Sequence, residues 1–140
     1  MEGKCLCEAV HFKLSGKVSK LYQCYCSLCR KVSGAASNAA TIVSAEQFQW
    51  LQGEQSVVQY AKESGFKSEF CSHCGSPVPN KINGGNHYWV PVGLLESSEG
   101  LSVAAHLFAG SKMHWQSTDN KITQYDEMPE FSDVIALLEG

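Results

Sequence analysis

Seven cysteines fall into three tight groups: Cys5 and Cys7 as C-x-C, Cys24, Cys26 and Cys29 as C-x-C-x-x-C, and Cys71 and Cys74 as C-x-x-C. None is isolated, as scattered cysteines serving as small core hydrophobes would be. Close grouping suits metal, because the sulfurs of a zinc site must each come within about 2.3 Å of one ion. An odd count argues against a disulfide scaffold, which pairs its thiols. The stretch Met1-Glu2-Gly3-Lys4-Cys5 lacks the basic-then-apolar layout of a secretory leader, so a reducing, cytoplasmic setting is expected.

The run Cys71-Ser72-His73-Cys74-Gly75 has zinc-knuckle spacing, and Gly75 can take the positive φ that such a turn demands. Two thiolates make half of a tetrahedron, and Cys5 and Cys7 can supply the other half. That site is closed, reads as structural, and clips the N-terminal segment to the middle of the chain. Cys24, Cys26 and Cys29 then remain, with no eighth cysteine to complete them. Three protein ligands plus a free position is the pattern of a catalytic zinc. Two alternatives stay open: a histidine such as His11, His73 or His106 closes the triple, or the triple borrows a cysteine from a pair. An iron–sulfur cluster fits less well, since its usual motifs space the cysteines differently. Arg30 and Lys31 follow the triple and could offset its negative charge or hold the carboxylate of an incoming anion.

The elements that must position these groups are mostly short strands between turns. Residues 4–14 read as one strand with Leu6, Val10, Phe12 and Leu14 on one face, and Cys5, Cys7 and His11 on the other. Strands are expected at 20–24, 37–43, 48–51, 57–61, 66–70, 87–95 and 101–108. A knuckle at Cys26–Cys29 runs into a short helix stopped at Gly34, and Ser44 and Gln47 have capping-box spacing. Pro77 and Pro79 imply an irregular or edge segment, and Asn83-Gly84-Gly85-Asn86 a turn. Ser132 is expected to cap a final helix carrying Val134, Ile135, Leu137 and Leu138. Tyr25, Trp50, Tyr88, Trp89 and Trp115 are read as core or edge aromatics.

Composition bounds the rest. A chain of 140 residues, 44% hydrophobic and 18% charged, suits one globular domain over 1–140, mainly β with small helical pieces. No apolar run approaches the roughly 20 residues that span a bilayer. A net charge of −3 and a single arginine, Arg30, give no electrostatic footprint for nucleic acid or anionic lipid.

Taken together, G-K-C-L-C-E-A-V-H-F, C-Y-C-S-L-C-R-K-V-S-G-A, F-C-S-H-C-G-S-P and H-L-F-A-G-S-K-M-H-W resemble the glutathione-dependent formaldehyde-activating enzyme family, also called the GFA or centromere-protein-V domain. The resemblance runs from Gly3 to about Phe131. It implies a mainly β, Mss4-like β-tent of coiled antiparallel sheets stapled by zinc. It also implies structural ligands at Cys5, Cys7, Cys71 and Cys74, and a second, catalytic-type zinc at Cys24, Cys26 and Cys29. Arg30, Ser33, Gly34 and Gly110-Ser111-Lys112 match further family positions, whereas Tyr25 stands where many members carry histidine. The implied activity is that of a carbon–sulfur lyase joining formaldehyde, or another small aldehyde, to glutathione or another small thiol. The contrasting expectation is a non-catalytic, zinc-stabilised binding module on the same β-tent.

Overall fold

The computed structural model describes residues 1–82 and 84–140. In chain order its elements are β1 (Glu2–Lys4), β2 (His11–Leu14), β3 (Lys20–Cys24), α1 (Ser27–Ser33), β4 (Asn38–Ser44), β5 (Phe48–Gln52), β6 (Val57–Ala61) and β7 (Lys67–Cys71). They continue as β8 (Asn80–Lys81), β9 (His87–Pro91), β10 (Ser102–Leu107), β11 (Thr123–Gln124) and α2 (Phe131–Glu139). The protein is mainly β, as its alternating short apolar runs imply. The chain forms two compact units, residues 1–17 with 42–99 and residues 18–41 with 100–140, and β4 carries it from the second to the first.

In the first unit β1, β2 and β5 make an antiparallel sheet, with Phe12 opposite both Gly3 and Trp50. Gly3 is required there, because the Phe12 ring fills the space a Cβ would take. A second ribbon pairs β6 with β7, placing Val57 opposite Cys71, and β8 pairs with β9. Residues 4–14 do not form the single strand expected. β1 and β2 are a hairpin, and Cys5 to Val10 is its turn. Glu8 adopts a left-handed φ of 65°, its N–H donates to Cys5 O, and Cys5 N–H donates to Val10 O. Leu6 is thereby thrown into solvent at 83% exposure, while Val10, Phe12 and Leu14 are buried as expected. Gly53, at φ 80°, lies so close to the Ala9 carbonyl that no side chain fits, and so it braces this turn from β5.

In the second unit β10 lies between β3 and β11 and runs parallel to both, while β3 and β4 are antiparallel. Leu107 is level with Cys24 and His106 with Gln23. The helix α2 packs on β3 and β10 through a face that buries Val134 and Leu138. Its N-cap is Glu130, so Ser132 lies inside the first turn and does not cap the helix. The capping box at Ser44 and Gln47 forms as read, and Gly34 ends α1 at φ 68°. Asn83 of the expected Asn83–Asn86 turn lies outside the described residues. Tyr25 is fully buried, whereas Trp115 is 71% exposed and joins no core. Among the described residues no helix is long and apolar enough to cross a membrane.

Candidate metal centres

Each unit contains one cysteine group. Cys5, Cys7, Cys71 and Cys74 converge in the first unit, and Cys24, Cys26 and Cys29 in the second; within each group the sulfurs lie within 4.8 Å of one another. Either group could hold a metal ion. Among the described residues neither group contains a histidine or a carboxylate. His11, His73 and His106 are therefore not gathered into the triple, and no cysteine is exchanged between the groups.

The four-sulfur group is built from a hairpin turn and a knuckle. Its Cys5–Cys7 and Cys7–Cys71 sulfur pairs are 3.7 and 3.8 Å apart. Tetrahedral zinc with bonds of about 2.3 Å needs sulfurs about 3.8 Å apart, which is the spacing of these two pairs. Cys5 and Cys71 are buried with Val10 and Val78, and Trp50, Val57 and Leu94 pack around them. Val10 N–H donates to Cys5 Sγ at 3.3 Å. Gly75 takes φ 78° and its N–H donates to Cys71 O, which turns the knuckle. At Cys7 the Ala9 N–H favours the thiolate, but burial and the Cys74, Cys5 and Cys71 thiols together drive it up to about 11. At Cys74 burial opposes ionisation, yet the Ser76 hydroxyl and N–H and the contacts from Cys7 prevail and hold it at about 5. Four sulfurs this close together are a set from which a divalent cation can displace the protons.

Ser76 is a member that spacing did not reveal. Leu6 N–H donates to Ser76 Oγ at 3.0 Å, and the same oxygen is 3.3 Å from Cys74 Sγ. The Cys74 thiol donates to that oxygen; once ionised, the sulfur can instead accept from the Ser76 hydroxyl, which favours the thiolate. One side chain thus ties the hairpin turn to the knuckle. Partners of metal ligands typically change affinity 10–100-fold when removed. Ser76→Ala should therefore stay folded yet release metal to a competing chelator roughly tenfold faster. An unchanged release rate would show that this hydroxyl does nothing for the site.

The three-sulfur group sits where β3 becomes α1. Cys24 ends the strand and is buried, and Cys26 and Cys29 are half-buried. Cys26 is the N-cap of α1, its sulfur accepting from Cys29 N–H at 3.3 Å. The Cys29 thiol, with the Cys26 backbone and side chain, holds Cys24 down at about 6 despite burial. The same contact with Cys24, joined by burial, pushes Cys29 far above the usual thiol range. Three sulfurs without a fourth protein ligand fit zinc with one free position.

Side chains around the triple fix its outline. Arg30 Nε donates to Tyr25 O at 3.2 Å and Nη1 to Met113 Sδ at 3.5 Å, which links α1 to the segment after Gly110-Ser111-Lys112. Ser33 Oγ donates to Cys29 O at 2.8 Å. Gly110 lies against the Asp126 backbone, and Lys112 Nζ is 3.4 Å from Thr118 Oγ1. Among the described residues no carboxylate pairs with Arg30, Lys31 or Lys112. Tyr25 Oη and His106 Nδ1 are 3.0 Å apart, at 1% and 3% residue exposure. Burial raises the tyrosine and lowers the histidine, so the pair is neutral and serves as a buried brace behind the triple.

A family model described as glutathione-dependent formaldehyde-activating enzyme matches residues 1–111. An uncharacterized lyase of Schizosaccharomyces pombe is 28% identical over 125 residues, 89% of each chain. A Halomonas elongata protein, provisionally named a glutathione-dependent formaldehyde-activating enzyme, is 33% identical over 84 residues, 56% of this chain and 54% of its own. A solved Rhodobacter sphaeroides protein shares the fold with a TM-score of 0.57 at 24% identity, over 69% of this chain and 89% of that one.

Proposed function

The chain belongs to the glutathione-dependent formaldehyde-activating enzyme family, and we propose that it is a cytoplasmic, zinc-dependent carbon–sulfur lyase acting as one domain over residues 1–140. The substrates are a small thiol, glutathione or a relative, and formaldehyde or another small aldehyde. The observation that carries this reading is the contrast between the two cysteine groups: four sulfurs closed in one, three without a protein fourth in the other. Zinc at Cys5, Cys7, Cys71 and Cys74 is assigned a structural role. Zinc at Cys24, Cys26 and Cys29 would supply a Lewis acid that keeps a substrate thiol ionised at neutral pH.

The residues of the chain do the rest. Cys26 and Cys29 are only half-buried, so solvent reaches the triple. Arg30 is held by Tyr25 O and Met113 Sδ, and its remaining N–H groups can take a substrate carboxylate. In the reaction the thiol sulfur forms a bond to the aldehyde carbon, and the thiol proton ends on the former carbonyl oxygen. The product is a hydroxymethyl thioether, and cleavage is the same step reversed.

The test is adduct formation from formaldehyde and glutathione, followed by NMR with and without the zinc-loaded protein. The expected result is a rate above the uncatalysed one that falls when a chelator removes the second zinc. Two zincs bound, with no thiol binding and no acceleration, would overturn the lyase and leave a zinc-stabilised binding module.

A further inference from the structure

The first unit contains a groove of about 420 Å³ whose lining includes Trp50, Glu54, Val57, Glu69, Lys81 and Tyr88 and no cysteine. Its aromatic side is packed ring on ring. The Phe48 ring stacks on Tyr88 with centroids 4.0 Å apart and planes 12° apart, and meets Trp50 edge-on at 4.9 Å. The register places Glu69 opposite Gln59 on the ribbon face shared with Val57, so its side chain is half-buried. Lys81 extends its Nζ to 5.8 Å from the Tyr88 centroid. Among the described residues no ion pair joins Glu54, Glu69 or Lys81 to any partner. Lys67, two residues before Glu69, acts on it only at longer range.

A half-buried carboxylate without a cation is poorly solvated, and a cation placed on it recovers that cost. Lys81 supplies the opposite charge within the same groove. The volume is enough for a small organic molecule to lie in the groove. We propose that this groove is a binding site for a small zwitterion of the α-amino-acid type. The ligand's ammonium group meets Glu69, its carboxylate meets Lys81, and its apolar body lies against Trp50. The site is independent of the lyase reading, since none of its residues is used there.

The test uses zinc-loaded protein and three probes of one shape: L-phenylalanine, phenethylamine with only the ammonium, and phenylpropionate with only the carboxylate. The Trp50 indole N–H resonance is followed by NMR. L-Phenylalanine should shift it saturably, and each single-charge probe should bind at least fivefold more weakly. E69Q and K81M should each weaken L-phenylalanine at least fivefold; Lys81 is exposed, so K81M does not disturb the core. Equal binding of all three probes would reduce the groove to an apolar surface. No saturable shift, or shifts confined to the neighbours of the cysteines, would overturn the proposal outright.

Discussion

Cys74→Ser should yield protein that is insoluble or largely unfolded, the largest stability loss expected from any single change here. The sulfur removed is one of four that join a hairpin turn to a knuckle, and Cys7 and Cys71 are 64 residues apart. Structural zinc contributes roughly 10–16 kcal/mol of apparent binding energy in small domains. Total folding stability is only about 5–15 kcal/mol. Closing a loop of that length by a cross-link accounts for roughly 4 kcal/mol alone. Losing the ion also strands Cys5 and Cys71 thiols in a core that packs against them. Ser76 would keep its bond from Leu6 N–H but would lose its sulfur partner. Circular dichroism and zinc analysis check this. A variant that melts within a few degrees of the parent would overturn the structural assignment.

The cysteine groups were legible because their spacing is a local property and coordination demands convergence. The knuckle at Cys71–Cys74, the helix stopped at Gly34 and the capping box at Ser44 follow from residues within one turn of each other. The hairpin at residues 2–14 was hidden for the opposite reason. Alternation in Val10, Phe12 and Leu14 is genuine and does set the buried face of β2. Extending it back through Leu6 to Cys5 missed the reversal at Glu8, because glutamate is a poor signal for positive φ. Leu6 is exposed as a consequence. The C-terminal helix was visible in its apolar spacing, while its start was not, because a serine two residues inside looks like a cap. Ser76, the Tyr25–His106 pair and the Arg30–Met113 contact depend on partners 70 to 83 residues away, which spacing cannot reveal. The parallel pairing of β10 with β3 and β11 is equally non-local.

Cys26→Ser should have the largest effect on function and little on the fold. Cys26 does two jobs at the start of α1: its sulfur belongs to the triple, and it accepts from Cys29 N–H as N-cap. Serine retains the second job, since a hydroxyl oxygen is among the preferred N-caps. The helix start is therefore kept while a metal ligand is removed. Cys24 and Cys29 alone are too few to hold zinc tightly. The closed group in the other unit is untouched. The variant should then melt within a few degrees of the parent, bind about one zinc per chain where the parent binds about two, and lose thiol binding and adduct formation. A helix-capping role for Cys26 alone predicts unchanged zinc content. A structural role for the triple predicts a large fall in melting temperature together with the lost zinc. Metal analysis, a melting curve and the formaldehyde–glutathione assay on the same two preparations separate these outcomes. Loss of one zinc with both fold and adduct formation intact would show that the chemistry lies elsewhere than at the triple.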